Sequence, residues 1–234
     1  MCGRDNMKIV AVISRRFEPD YLVEELHQNL AWMDEIICYD DRGRDPDDLE
    51  WNEHQRYTQL HEWAGQANAD YVLATAPDER LSKRSEEVIR EAIEHDRMRM
   101  LETFFCIPAL ELYTPTQYRS DGDWAKSIQC RIYPWREGQE FTNLPLHNLC
   151  VPIHDGIDER LIPANAYHLK HIEQQNIINR IKSFQRVDPE GKYSLYGTGY
   201  EYLADVEGLE LTTIPDKEMY EPLYTKQYLY EEPS

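Results

Sequence analysis

Residues 8–13 read KIVAVI, a near-continuous β-branched run with no polar alternation, the pattern of a central strand covered on both faces. It ends in Ser14-Arg15-Arg16-Phe17-Glu18-Pro19. Beyond Pro19, apolar residues recur at Val23, Leu26, Leu30 and Met33, the stripe of a helix packed on a sheet. Residues 35–39 predict a second short strand, which runs straight into Asp40, Asp41, Arg42, Gly43, Arg44 and Asp45. Pro46, Asp47 and Asp48 then signal a helix whose Leu60, Trp63, Ala64 and Ala67 face the sheet. A third strand at 70–75 leads through Ala76 and Pro77 to Asp78, Glu79, Arg80 and Leu81. Three times, an apolar strand delivers acids to its end.

Farther on, Ser82 or Ser85 caps a helix carrying Val88, Ile89, Ala92 and Ile93, and residues 102–107 form another apolar strand. After Pro108 the pattern changes to shorter strands at 110–113, 128–133 and around Phe141, separated by turns bearing Pro and Gly. From Tyr167-His168-Leu169 the chain re-enters a helix with Ile177, Ile181 and Phe184 on one stripe, ending at Asp188-Pro189-Glu190-Gly191. Strands alternating with helices of this length require crossover connections and hence a parallel sheet. The expected fold is α/β and Rossmann-like, with a mostly parallel central sheet and a mixed C-terminal extension. One domain spans 1–188, divided into halves 1–107 and 108–188, and a tail at 189–234 packs on it. In open α/β sheets ligands collect at strand carboxyl ends, so the acids stand at the rim of a crevice. Neither G-x-G-x-x-G nor G-x-x-x-x-G-K-[ST] occurs, which removes the dinucleotide fingerprint and the P-loop.

Charge narrows the partners. The formal net charge is −19, from 44 acidic and 25 basic residues, and repels nucleic-acid phosphates and anionic membrane surfaces. A phosphate-bearing ligand then needs local help from arginines, a bound cation or backbone amides. The five cysteines, Cys2, Cys38, Cys106, Cys130 and Cys150, are odd in number and form no C-x-x-C pair, so they read as buried thiols in a reducing compartment. No apolar signal core follows Met1, and there is no uncharged apolar run of about 18 residues. These features predict a cytoplasmic protein without nucleic-acid partners or an integral membrane segment.

In this order, the motifs resemble those of family-2-like glycosyltransferases of the GT-A fold. The likeness covers residues 8–188. IVAVISRRFE matches the family's opening strand and acid-bearing loop, with Glu18 at the acidic position; CYDDRGRD resembles its acidic second loop, with Asp40, Asp41 and Asp45 in register. Ala76-Pro77-Asp78-Glu79 resembles the D-x-D-E element, with Ala76 at the first acidic position. Cys130-Arg131-Ile132-Tyr133 with Leu146-His147-Asn148, and Ala166-Tyr167-His168-Leu169, resemble the later arginine–aromatic and histidine elements.

The resemblance implies a sugar moved from a nucleotide-diphosphate donor to a glycan or other hydroxyl acceptor. It makes Glu18, Asp40, Asp41 and Arg42 nucleotide contacts and Asp78 a direct ligand of Mn²⁺ or Mg²⁺, with Glu79 and His168 as further metal-site residues. Arg80 is expected to neutralise part of the diphosphate. Chemistry agrees: a hard divalent cation takes one or two carboxylates and completes its shell with phosphate oxygens and water. Asp121 and Asp123, in a turn before Trp124, are the candidate catalytic bases, and Trp124 can stack on a sugar face. Ala76 keeps open a second class, a catalytically degenerate carbohydrate- or protein-binding module. A nucleotidyltransferase ranks last, because its glycine-rich, lysine-bearing first loop is absent.

Overall fold

The structure, a computed structural model, describes residues 7–15, 18–41, 53–144, 146–153, 156–194, 197 and 199–225. Strand β1 (Ile9–Arg15) lies between β2 (Glu35–Asp40) and β3 (Tyr71–Thr75) and is parallel to both. Helices α1 (Asp20–Asn29), α2 (Glu53–Gln66) and α3 (Ser85–Met98) cover the two faces. Because successive strand residues point to opposite faces, Ile9, Ala11 and Ile13 pack with Leu26, Val88, Ile89 and Ile93 of α1 and α3. Val10 and Val12 pack with Leu60 and Ala64 of α2. This double burial is what the unalternated KIVAVI run encodes. Each such buried aliphatic side chain contributes about 1.5–3 kcal/mol.

The α1 stripe is rotated from the expected one. Leu22, Leu26 and Leu30 are buried at spacing i, i+4 and i+8, with Met33 behind them, while Val23 is only half-buried. The helix forms at 85–98, but neither serine caps it: the N-cap position is Arg84 with no side-chain cap hydrogen bond, and the Ser82 and Ser85 hydroxyls instead lie 2.9 Å from each other.

Beyond β3 the short strand β4 (Glu79–Leu81) precedes α3, and the twelve-residue β5 (Thr103–Thr114) follows it. The expected strands at 102–107 and 110–113 are thus one element. Pro108 is accommodated inside it, near a register shift between Phe105 and Cys106 where β5 meets β7 (Ile128–Pro134). β7 inserts antiparallel between β3 and β5, and β6 (Gln117–Arg119) pairs antiparallel with the far end of β5. Strands β8 (Asp158–Leu161) and β9 (Ala166–His168) lie parallel to β5, and β9 also pairs antiparallel with β4. Residues 166–168 are therefore strand, not the start of a helix; the following helix α4 begins later (Gln174–Val187). Finally β10 (Leu211–Thr213) pairs with β6. Among the described residues the result is one ten-stranded mixed sheet in an α/β fold.

Phe141 belongs to no strand. It is buried in the cluster on the α2 side of the sheet, beside Tyr57 and His61. The segment after α4 packs on the domain: Tyr200 buries against Leu146 and Phe184, and Ile214, Tyr220 and Tyr224 bury against Leu22, Leu112 and Tyr167. Cys106 and Cys130 correct the expectation of five thiols, since they face each other across β5 and β7 and are disulfide-bonded. Cys38 and Cys150 are half-buried thiols, and Cys2 lies outside the described residues. No helix among the described residues is long and apolar enough to cross a membrane.

Gly65 on α2 allows the closest of these contacts. A Cβ there would sit 2.2 Å from Trp135 Cζ2, and that indole is fixed by its Nε1–H donating to the His61 carbonyl at 3.0 Å. Alanine is the better helix former by about 1 kcal/mol. Gly65→Ala is nevertheless expected to destabilise the protein by about 1–3 kcal/mol, as overpacking does, read as a lower urea midpoint at unchanged slope.

Candidate functional site

Parallel register brings the three acid-bearing strand ends to one edge. Arg15 and Asp40 are direct partners across β1 and β2, and Ile13 pairs with Thr75 of β3. Arg15 organises this edge: Nε and Nη2 donate to the Glu18 carbonyl at 2.8 and 2.6 Å, while Nη1 lies 2.7 Å from Asp20 and 3.5 Å from Asp40. Glu18 is buried in the loop that Arg15 ties back. Asp40 presents its carboxylate at the surface, whereas Asp41 is buried 3.9 Å from Arg56. Arg42 and Asp45 lie outside the described residues.

The third strand end feeds a rung of charge. Glu79 of β4 pairs with His168 of β9, and His168 pairs in turn with Glu111 of β5. Backbone register thus sets one imidazole between two carboxylates. His168 Nε2 lies 2.6 Å from Glu79, and Nδ1 lies 3.0 Å from Glu111. Burial and the neighbouring Lys170 work against protonation of His168, but Glu111 and Glu79 outweigh them, so its pKa is pushed up to about 9. It is an imidazolium that donates both N–H groups.

Burial would raise the Glu79 carboxyl, yet Arg131 and His168 hold it well below the ordinary range. Its Oε2 accepts from the Thr75 hydroxyl at 2.9 Å and the Ala76 amide at 3.0 Å; its Oε1 is shared by His168 and the Arg131 guanidinium. Glu111 is likewise held ionised against burial, by Lys170, 3.1 Å away, and by His168. His171 lies with Nε2 3.5 Å from Glu111 but is neutral, its pKa lowered to about 3, chiefly by burial.

The same face of β5 continues into an aromatic wall. Two residues beyond Glu111, Tyr113 stacks on His171 at 5.1 Å, and Trp124 meets His171 edge-on at 5.4 Å. Arg119 lies over Trp124 at 4.9 Å and grips Asp121 with Nε and Nη2, both at 2.8 Å. The Asp121 carboxyl, which also accepts from the Glu210 amide, is held below its ordinary range mainly by Arg119. Asp123 is exposed at the start of the short 3-10 turn Trp124–Lys126.

Asp78 has another neighbour. Its carbonyl accepts from the Leu169 amide at 2.8 Å, and its carboxylate faces Arg180 of α4, with Nη1 3.6 Å from Oδ2. The Asp78 side chain is 4 % exposed and that of Arg180 25 %. The arginine caps the acid.

The expected metal ligands do not form a set here. Among the described residues, Asp78, Glu79 and His168 do not converge as one ligand cluster: His168 lies between Glu79 and Glu111, the Glu79 oxygens meet Thr75, Ala76, His168 and Arg131, and Asp78 faces Arg180. Arg80 is placed away from the crevice. It is fully buried, donating to the carbonyls of Pro77, Glu79 and Leu22 at 2.8, 2.7 and 3.2 Å and pairing with Glu25 at 3.1 Å, so it pins the β3–β4 turn to α1. Glu111 and Arg180 carry no mark as site residues in the sequence, and Arg131 appears there only within the arginine–aromatic motif, with no role given. The signal for Glu111 and Arg131 was a lone charge within an apolar strand, ALEL and CRIY, which must find a partner when buried.

Two tests follow from this network. His168 gains protonation in the folded state, from an ordinary 6.5 to about 9, so its stabilisation is complete below pH 6.5 and fades as pH rises through 9. Urea midpoints measured from pH 6 to 10 should fall across that window in the wild type, and His168→Gln should lack the slope while being less stable at pH 6. Arg80→Ala removes a buried charge that bonds three backbone carbonyls and pairs with Glu25, and is expected to cost about 3–5 kcal/mol in the same assay.

No family model matches the chain, and no curated protein matches it. Among solved structures, the chain is similar to the crystal structure of S. aureus TarS, with a TM-score of 0.41, 12% identity, and 80% of this chain and 40% of that one covered. The chain therefore spans less than half the length of TarS.

Proposed function

We propose that this protein transfers a sugar from a nucleotide-diphosphate donor to an acceptor hydroxyl. The observation that carries this reading is the alignment of three acid-bearing strand ends on one sheet edge, joined through the Glu79–His168–Glu111 rung to an aromatic wall. In the proposal, the loops at Glu18 and Asp40 receive the nucleoside. The diphosphate lies at the Asp78–Arg180 corner, and the acceptor stacks against Trp124. Trp124 offers a half-exposed indole backed by His171, the kind of platform a sugar ring uses. Asp123 is the stronger candidate base, because Arg119 occupies Asp121 and lowers its basicity.

A second reading, a degenerate carbohydrate- or protein-binding module, is favoured by Ala76, whose amide is spent on Glu79. Titration calorimetry with UDP, GDP and dTDP, each with and without Mn²⁺, is expected to show binding of at least one nucleotide. No binding in any combination would sink the transferase proposal. Asp123→Asn is expected to lower turnover by about 10²–10⁴-fold with nucleotide affinity unchanged. Binding without any consumption of donor sugar, and its appearance in Ala76→Asp, would favour the degenerate module.

A further inference from the structure

We propose that Cys106 and Cys130, once reduced, form with Glu159 a site for a soft divalent cation such as Zn²⁺, and that closing the disulfide expels the ion. The site uses none of the crevice residues and needs nothing from the transferase reading.

Strand pairing assembles the three groups. Cys106 of β5 is the register partner of Cys130 of β7, and the two are joined by the disulfide. On the other side of β5, the parallel strand β8 sets Glu159 opposite Phe104 and Leu161 opposite Cys106. Residues two apart on a strand share a face, so Glu159 stands one step from Cys106 on the face that carries the disulfide. The two sulfurs and a carboxylate oxygen all lie within 4.8 Å of one another, with Glu159 Oε2 3.8 Å from Cys106 Sγ. Among the described residues this is the one group of three such ligand atoms drawn so close. Cys150 stands outside it, its thiol donating to the Cys130 carbonyl at 3.6 Å.

The redox state decides what this trio can hold. A disulfide sulfur has no proton to offer the carboxylate, and the ligand that metals take is the thiolate. After reduction the same three atoms suit Zn²⁺, which binds thiolate sulfur at about 2.3 Å and carboxylate oxygen at about 2.0–2.2 Å. They fill three of its four usual positions and leave the fourth to water. Two sulfurs in the set select against Mg²⁺ and Mn²⁺, which favour oxygen. Access is from one side: Cys106 is buried and Cys130 half-buried, but Glu159 is exposed. The net charge of −19 draws cations toward that opening.

Release of the ion balances with a small-molecule disulfide, such as glutathione disulfide, as oxidant. One protein thiolate attacks it, forming a mixed disulfide and freeing one small thiolate. The second protein thiolate then attacks the mixed disulfide, closing the Cys106–Cys130 bond and freeing the other. The protein sulfurs lose two electrons, the two freed thiolates take up two protons, and the metal departs with its charge unchanged.

The test uses the full wild-type chain in both redox states, with Co²⁺ as a spectroscopic substitute for Zn²⁺. The reduced chain, freed of reductant without air, is expected to develop a near-ultraviolet sulfur-to-cobalt charge-transfer band that added Zn²⁺ removes. The oxidised chain should show no such band. Cys106→Ser and Cys130→Ser should each lose at least half of it and bind about tenfold or more weakly, Glu159→Gln should keep it with affinity lowered about tenfold, and Cys38→Ser should change neither. Glutathione disulfide should release the Zn²⁺, counted with a chromogenic chelator, as the disulfide forms. No band in the reduced wild type overturns the proposal whatever the variants do. So does the same band in the oxidised chain, a full band in Cys106→Ser, an unchanged affinity in Glu159→Gln, or metal that stays bound after the disulfide has closed.

Discussion

The sheet converges on a single ionised hydrogen-bond relay, carboxylate to imidazolium to carboxylate, laid across three strands. Removing water from such groups is costly, and the cost is offset only when geometry is good and every partner is present. Here the geometry comes free with strand pairing, because Glu79, His168 and Glu111 are register partners. A slip of one residue between β9 and either neighbour would turn His168 to the other face and leave two carboxylates facing each other in the interior. The relay therefore specifies register more than it adds stability. It also explains why Arg131 and Lys170 lie where they do: each supplies the countercharge that one end of the relay lacks.

The parts of the fold legible in the sequence were those written by burial on both faces. KIVAVI, the 70–75 strand and the helix at 85–98 are local patterns with one solution, and they form where the patterns put them. The errors arose where partners distant in sequence decided the matter. Pro108 looked like a terminator, yet β5 runs through it, with Pro108 in register opposite Ile128 of β7. Tyr167 and His168 looked helical, yet β4 and β5 recruit them as a strand between them. Phe141 had the look of a strand residue but is a plug for the layer beneath α2. The strand β10 has no periodicity of its own, since all three of its residues are exposed and only pairing with β6 defines it.

At the candidate site, the sequence indicated which strand ends carry acids but not which charges neutralise them. Arg80, adjacent to Asp78 and Glu79, was the obvious countercharge and turned inward to α1 instead. The group actually facing Asp78 comes from α4, about a hundred residues later, on a helix whose apolar stripe was visible but whose polar side carried no mark. Contacts of that span depend on tertiary packing, and no local pattern reports them.

The wall around Asp121 has a consequence for how the molecule is made. Arg119 is steadied by the Asp205 carbonyl, and Asp121 by the amide of Glu210, 89 residues further along the chain. Chains emerge from the ribosome amino end first, and their parts fold as they appear. The edge built by β1, β2 and β3 can close long before those partners exist. A nascent chain would hold that edge with the Arg119–Asp121 side open until the segment bearing Asp205 and Glu210 emerges to close it.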